Sequence, residues 1–242
     1  MARRCRVALL VESSRAYGRG LLRGLAEYAR THGAWSIYHH ERALGDPDPS
    51  WLRHWDGDGI IARAESEKLI ALLPMSLLSD YKPDLAVVDL RALHDIPGVP
   101  SINTDDQAVA ELAARHLLER GFRSFAYCGF GGANYSDLRR RIFVRFLMDR
   151  GIEPAVHDEP RATARDNTTS LEAKGMRKEK AIAEWLNELP KPLGLMACND
   201  IRAQQVLNAC LEFGIAVPEE VAVIGVDHGD VICELADPPL SS

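Results

Sequence analysis

Three glycines near the start of the chain have the spacing of a phosphate-binding loop. Gly18, Gly20 and Gly24 follow the apolar run 7–11 in the order G-x-G-x-x-x-G. In a dinucleotide-binding fold the first glycine directly follows a strand, so that backbone N–H groups at the helix N-terminus contact the pyrophosphate. Here a polar loop separates the run from the first glycine. The pattern therefore favours glycines inside the first helix, although Glu41 stands where a ribose-binding acid would.

The polar loop offers groups that could contact a small ligand. It contains Ser13 and Tyr17. Open α/β sheets bind ligands at the carboxyl ends of their strands, where this loop is expected. We therefore interpret Ser13 and Tyr17 as candidate ligand contacts, the alternative for Tyr17 being a place in the core. Asp89, at the end of the run 85–90, is a weaker candidate that could equally cap the following turn.

Motifs of common catalytic and metal sites are absent from the sequence. It contains no G-x-S-x-G, no H-E-x-x-H and no phosphate-binding-loop lysine. The eight histidines are dispersed, and the adjacent His39 and His40 would point to opposite faces of a strand. We therefore predict no catalytic residue, no metal and no cofactor.

Composition narrows the class of protein. The 242 residues carry a net charge of −6, which argues against an extended nucleic-acid surface, and the 26% of charged residues is ordinary for a globular protein. The apolar run 7–11 is too short for an export signal or a membrane span, so we predict a cytoplasmic chain without a membrane partner. Five cysteines without a C-x-x-C pair suit reduced thiols, four of them packed in the core.

Short apolar runs alternate with longer segments of helical periodicity. The predicted strands are 6–12, 35–40, 57–63, 85–90, 99–104, 124–129, 193–199 and 221–227. The predicted helices are 17–32, 65–79, 106–120, 135–150, 175–189 and 201–213. This alternation predicts an α/β fold of parallel sheets flanked by helices, in two stacked sheets rather than one. The polar segment 158–175 is predicted to be a long surface loop, and Asp105 or Thr104 to cap the helix 106–120.

Two later stretches resemble the LacI/GalR family of sugar-responsive repressors. Residues 99–129, which begin VPSINTDDQ, are similar to the family's inter-lobe crossover and the helix and strand after it. Residues 194–230 resemble its second signature, with N-D at a strand end, a helix, a G-x-x-V-P turn and a strand ending in V-I-G-x-D. The resemblance implies a type I periplasmic-binding-protein-like fold. Its lobes would span 1–103 and 104–236, with a return crossover starting in DPPLSS at 237–242.

A narrower resemblance is to the XylR-type xylose operon regulators within that family. Residues 14–28 and 57–63 are similar to that group's stretches in those places. Such regulators begin almost directly with the sugar-binding domain and carry an AraC-type DNA-binding domain at the other end. The first predicted strand here likewise begins near residue 6. We therefore expect the chain to be a fragment without the final strands of the first lobe and without the DNA-binding domain.

The resemblance also implies a sugar in the cleft between the lobes and places residues there. Asp227, at the end of the run 221–227, matches a hydroxyl-binding aspartate of the family, the alternative being a turn or helix cap. Asn199 matches another ligand-binding position. Its neighbour Asp200 is better interpreted as the N-cap of the helix 201–213.

One arginine of a basic run matches a family residue that clamps the sugar. This is Arg139, but Ile142 and Phe143 stand where many relatives have a glycine and an aromatic residue. Arg140 or Arg141 could therefore take the role, or all three could form a solvated basic face. The sequence leaves these alternatives open.

The function implied by the resemblance is effector sensing for a transcriptional regulator. A small sugar, such as the pentose D-xylose, would be the effector, and lobe closure would act through a homodimer on DNA-binding domains outside this chain. The chain alone is expected to show no sequence-specific DNA binding. A solute-binding protein for sugar transport is the alternative, and a nucleotide-dependent enzyme, suggested by the glycines, is a third hypothesis.

Overall fold

The computed structural model divides the chain into two compact units, Met1–Thr104 and Asp105–Ser242. The residues that it describes are 3–33, 35–47, 49–64, 69, 85–91, 95–163 and 166–242. Each unit contains a four-stranded parallel sheet. The predicted α/β class with parallel sheets is therefore confirmed, whereas the predicted helix 65–79 lies outside the described residues apart from Leu69.

The first unit is organised around the sheet β2-β1-β3-β4. Its strands are β1 (Arg6–Leu10), β2 (Ser36–His39), β3 (Gly59–Ala62) and β4 (Ala86–Asp89). Helix α1 (Ala16–Thr31) follows β1, and a 3-10 helix (Ser50–His54) precedes β3. The central strands come from the most continuous apolar runs and are buried, while every residue of the edge strand β2 is exposed.

The second unit is organised around the sheet β6-β5-β7-β8. Its strands are β5 (Ser124–Cys128), β6 (Ala155–His157), β7 (Leu193–Ala197) and β8 (Val221–Ile224). Its helices are α2 (Asp106–Glu119), α3 (Asn134–Met148), α4 (Thr168–Gly175), α5 (Glu179–Asn187), α6 (Asp200–Phe213) and α7 (Asp230–Leu235). A 3-10 turn (Met176–Lys178) joins α4 to α5.

Apolar side chains cover both faces of the second sheet. Along β5, Ala126 and Cys128 belong to one buried cluster, and Phe125 and Tyr127 belong to another. Because successive strand residues point to opposite faces, the two clusters lie on opposite sides of the sheet. The cysteines follow the prediction, since Cys5 is exposed. The buried ones are Cys128, Cys198, Cys210 and Cys233.

Two predicted segments are wrong. The run 99–104 is not a strand, because it makes a single bridge from Ser101 to Asp89. Pro100 has no N–H to extend a ladder, and Ile102 is 62% exposed, so no burial favours an extended strand.

The segment 158–175 is not a loop throughout, because it contains α4. Asn167 accepts a hydrogen bond from the Ser170 amide at 2.8 Å, and the Ser170 hydroxyl accepts one from the Asn167 amide at 3.1 Å. These turn-forming residues are therefore a capping box, and the buried Leu171 anchors the helix.

The sequence did not predict β6 and α7, but it did predict the cap of α2. Strand β6 and helix α7 are too short for a periodic signal. The Asp105 carboxylate accepts a hydrogen bond from the Ala108 amide at 2.9 Å, which confirms one of the two proposed caps of α2. No helix in the described part of the chain combines the length and apolar character needed to cross a membrane.

Candidate functional site

The glycine triplet belongs to a helix, as its spacing favoured. Helix α1 begins at Ala16, so all three glycines lie inside it. A β-carbon at Gly18 would overlap the carbonyl and carboxylate of Glu12, while one at Gly20 or Gly24 would meet nothing within 4 Å. Gly18 is therefore required by the close approach of α1 to the end of β1, and the nucleotide hypothesis loses its geometric basis.

The first unit holds a buried ion pair where its central strands end. Arg63 follows β3 and pairs with Glu12, which follows β1, and both side chains are at most 10% exposed. The Arg63 guanidinium lies 5.0 Å from the centre of the Tyr17 ring. The Tyr17 hydroxyl accepts a hydrogen bond from the Thr104 hydroxyl at 3.2 Å. Tyr17 thus belongs to this polar cluster, and its contact with a ligand stays a prediction.

The other two candidates of the first unit, Ser13 and Asp89, are hydrogen-bonded to backbone groups. The Ser13 amide donates to the Arg42 carbonyl at 3.0 Å, which ties the loop after β1 to the segment after β2. Asp89 is 2% exposed, and its Oδ1 accepts from the Ala64 and Arg91 amides at 3.1 Å each. This geometry supports the turn-capping alternative for Asp89, and the ligand roles of both residues stay predictions.

The second unit builds its polar cluster around Arg139 of α3, which is 4% exposed. Its Nε donates to Oδ1 of Asp106 at 2.7 Å, and its Nη1 donates to the Cys198 carbonyl at 2.6 Å. Its Nη2 lies 3.9 Å from Oδ1 of Asp227. The Tyr135 ring, one turn earlier on α3, stacks 5.5 Å from the guanidinium. Arg139 therefore contacts three separate segments of this unit.

The neighbouring arginines point elsewhere. Arg140 pairs with Asp158 at 3.2 Å and Asp137 at 3.4 Å. Arg141 is exposed, and its Nε donates to the Asp137 carbonyl at 3.3 Å. Of the three arginines in question, Arg139 is the one gathered with Asp227.

The oxygen and the nitrogen of the Asn199 side-chain amide make different contacts. Its Oδ1 accepts a hydrogen bond from the Arg202 amide at 2.9 Å, which makes Asn199 the N-cap of α6. Its Nδ2 lies 3.4 Å from the Tyr135 hydroxyl and 3.4 Å from Oε1 of Glu172. The side chain is thereby held with its donor towards the same cluster.

The prediction that Asp200 caps α6 is wrong. Asp200 is the first residue of the helix, and its Oδ2 accepts a hydrogen bond from the Gly229 amide at 2.6 Å. The helix N-terminus is already capped by Asn199. Asp200 instead fixes the turn that follows β8, which is the turn that carries Asp227.

Asp227 lies in a strained turn. Strand β8 ends at Ile224, so Asp227 stands beyond the strand rather than at its last position. Its φ is 102°, and the φ of His228 is 47°. Non-glycine residues in this region are uncommon and cluster at binding sites. The Asp227 side chain is 29% exposed, so its carboxylate is reachable by a small molecule.

The electrostatics of the cluster suit hydroxyl groups. Burial lowers the pKa of Arg139, but the carboxylates of Asp227 and Asp106 outweigh it and raise that pKa above its ordinary value. Burial, with Cys198 and Glu172 adding to it, raises the pKa of Tyr135 well above its ordinary value. The cluster thus presents a cation, a neutral phenol, an amide and carboxylates, which together satisfy donors and acceptors of a polyol. Among the described residues, no three His, Cys, Asp or Glu side chains are grouped as metal ligands.

Several members of these clusters were not among the sequence candidates. Tyr135 could have been found, because it lies four residues before Arg139 and so on the same helix face. Asp106 adjoins the predicted cap but carried no signal of its own. Glu172, which is 6% exposed, lies in the segment predicted to be a loop. In the first unit, nothing in the sequence linked Glu12 to Arg63.

Two family models match the chain. Residues 114–242 match the model described as periplasmic binding protein-like domain, and residues 6–107 match the one described as XylR N-terminal domain. Together the two matches cover both units.

Curated relatives and a solved structure show similarity over nearly the whole chain. The xylose operon regulatory protein of Haemophilus influenzae is 31% identical over 242 residues, or 98% of this chain. The protein of the same name from Escherichia coli K12 is 29% identical over 250 residues, or 99% of this chain. The chain spans 59% of the length of each. The structure of the xylose-binding transcription activator xylR matches with a TM-score of 0.69 and 27% identity, covering 93% of this chain and 54% of that one.

Proposed function

We propose that this chain, which belongs to the periplasmic binding protein-like family, is the sugar-sensing part of a transcriptional regulator. The names of its relatives support this, since both curated proteins are xylose operon regulators and the solved one is a xylose-binding activator. A pentose such as D-xylose is the proposed effector.

The spacing between Arg139 and Asp227 carries the proposal. Their nearest polar atoms, Nη2 and Oδ1, are 3.9 Å apart, which is too long for a hydrogen bond. A sugar hydroxyl both accepts and donates, so it could accept from the guanidinium and donate to the carboxylate at the same time. Both of these groups are charged, and hydrogen bonds to charged groups are the stronger ones.

A pentose needs several such contacts. The Nδ2 of Asn199 and the phenol of Tyr135 are donors beside the pair, and the Oε1 of Glu172 is an acceptor. Their mutual contacts are long, at 3.4 Å each, so a hydroxyl can replace them with shorter hydrogen bonds. The aromatic face of Tyr135 adds an apolar surface for ring C–H groups.

The remaining steps of the proposal concern the whole regulator. We propose that a domain outside this chain binds DNA, that the protein acts as a homodimer, and that it works in the cytoplasm. For the effector to alter DNA binding, it must bind one conformational state more tightly than the other, because equal affinity shifts no population. The placement of the sugar between two lobes stays a prediction.

Isothermal titration calorimetry tests the proposal directly. The protein is titrated with D-xylose, L-arabinose, D-ribose, D-glucose and D-galactose, and saturable binding of one pentose is expected. Asp227→Asn removes a charged acceptor and is expected to weaken that binding by about tenfold or more, the size of one hydrogen bond to a charged group. Arg141→Ala is the matched control, since Arg141 is exposed on the same helix as Arg139.

Two results would contradict the proposal. One is a folded protein that binds none of these sugars. The other is equal affinity of the Asp227→Asn and Arg141→Ala variants, which would place the sugar elsewhere. A parallel titration with NAD and NADP checks the nucleotide alternative, for which no binding is expected.

A further inference from the structure

Two adjacent aspartates begin helix α2 and make different contacts. Asp105 is exposed and accepts a hydrogen bond from the Ala108 amide of its own helix at 2.9 Å. Asp106 is 5% exposed and accepts from Nε of Arg139 on the neighbouring helix α3 at 2.7 Å. Asp105 therefore caps the N-terminus of its helix, whereas Asp106 is part of the polar cluster around Arg139.

Two contacts determine the orientation of the Arg139 guanidinium. Asp106 holds Nε, and the Cys198 carbonyl holds Nη1 at 2.6 Å. Because a guanidinium is planar and rigid, two such contacts determine where its third nitrogen lies. That nitrogen, Nη2, stays 3.9 Å from the carboxylate of Asp227.

We propose that Asp106 is a positioning residue for sugar recognition, because it holds the Arg139 guanidinium away from Asp227. In the described part of the chain, Asp106 and Asp227 are the two carboxylates within 4.0 Å of an Arg139 nitrogen. An arginine keeps its charge at any physiological pH, so without the carboxylate of Asp106 the guanidinium pairs directly with Asp227. That pairing occupies the two groups that a sugar hydroxyl would bridge. The inference rests on the proposed function.

The test compares two matched variants at neighbouring positions. Asp106→Asn removes the charge that holds Arg139, and Asp105→Asn removes the same charge one residue away while keeping a good N-cap. Both are titrated calorimetrically with D-xylose, or with the pentose that the panel identifies, and with its monodeoxy analogues. Asp106→Asn is expected to weaken the binding of the parent sugar by about tenfold, whereas Asp105→Asn is expected to weaken it by less than about twofold.

The monodeoxy analogues separate positioning from general loosening of the fold. If Asp106 acts through Arg139, one analogue lacks the bridging hydroxyl, and Asp106→Asn binds it as well as the unaltered protein does. The inference would be overturned if Asp106→Asn bound every analogue more weakly by the same factor. It would also be overturned if the affinity of Asp106→Asn for the parent sugar were unchanged. Failure of the unaltered protein to bind any sugar would instead refute the proposed function.

A spectroscopic measurement covers the case in which Asp106→Asn does not fold. The Nε–H signal of Arg139 in a proton–nitrogen NMR spectrum, assigned by its loss in Arg139→Lys, should exchange slowly with solvent in the sugar-free protein. Slow exchange is expected because Nε is buried and bonded to Asp106. Exchange as fast as that of the exposed Arg141 would overturn the inference.

Discussion

Each unit of the molecule holds a buried arginine–carboxylate pair beside a tyrosine, close to where its strands end. The first unit has Arg63, Glu12 and Tyr17, and the second has Arg139, Asp106 and Tyr135. The guanidinium lies 5.0 Å from the tyrosine ring in the first unit and 5.5 Å in the second. The same chemical arrangement therefore arises in both units from unlike stretches of sequence.

The surroundings of the two pairs differ. In the first unit the nearby aspartate, Asp89, ends β4 and accepts hydrogen bonds from the backbone amides of Ala64 and Arg91. In the second, Asp227 lies in a strained turn with 29% of its side chain exposed and 3.9 Å from the arginine. What distinguishes the second unit is a carboxylate that the fold places within reach of both the arginine and solvent.

Removing each arginine tests this comparison with the largest expected effect. Arg139→Ala leaves Asp106 buried without its cation and the Cys198 carbonyl without a donor, so we expect a loss of about 3–5 kcal/mol in the free energy of unfolding. Arg63→Ala is expected to cost less, because Arg63 is more exposed than Arg139 and Glu12 has further interactions.

Urea unfolding of both arginine variants measures the difference. Tryptophan fluorescence follows mainly the first unit, which contains Trp35, Trp51 and Trp55 against Trp185 in the second. Circular dichroism follows the helices, most of which lie in the second unit among the described residues. An equal or larger loss for Arg63→Ala would show that the two pairs are energetically alike.

Glycine substitutions in α1 test how the first pair is built. Gly18→Ala places a methyl group against Glu12 and is expected to cost about 1–3 kcal/mol through overpacking. Gly20→Ala meets nothing within 4 Å and is expected to stabilise the helix by about 0.5–1 kcal/mol. Thermal unfolding of the two variants gives the sign of each effect. Similar melting temperatures would mean that α1 does not approach Glu12 closely.

Glycine, compared with alanine, is expected to have opposite effects on stability at Asp227 and at Asp89. At Asp227 the positive φ favours glycine over alanine, so Asp227→Gly should be more stable than Asp227→Ala by about 1 kcal/mol. At Asp89, the last residue of β4, the backbone has no positive φ to favour glycine, so glycine should be less stable than alanine by about 0.5–1 kcal/mol. The glycine and alanine variants at one position both lack the carboxylate, so the loss of its interactions does not affect the difference between them. Chemical denaturation measures the four values, and the same sign at both positions would contradict the strained turn.

A last prediction concerns the acid sensitivity of the edge strand β6 in the second unit. Burial, aided by the charge of Arg202, lowers the pKa of His157 to about 4. As pH falls below the ordinary value of 6.5, the unfolded chain binds a proton that the folded chain refuses, so stability falls until the pH reaches about 4. His157→Gln should flatten the pH dependence of urea unfolding in that interval. An unchanged slope would show that His157 is protonated normally in the folded state.

Much of the fold could be predicted because its signals are local. The apolar runs of β1, β3, β7 and β8 and the cap of α2 by Asp105 depend on residues a few positions apart. The predictions for 99–104 and 158–175 are wrong, because the apolar run 99–104 contains Pro100 and the turn formers of 158–175 include the capping box that begins α4. Composition alone does not separate these cases.

The sequence by itself determined the α/β class, the helical place of the glycines and, through family resemblance, Arg139, Asn199 and Asp227 as site candidates. Only the tertiary structure decided which groups surround them. Asp106 is 33 residues from Arg139, and Glu172 is 27 residues from Asn199. Such contacts depend on how helices pack against a sheet, and no periodicity or cap within a few residues encodes that distance. The physical reason is that side-chain periodicity acts along one element, while a binding site is assembled between elements.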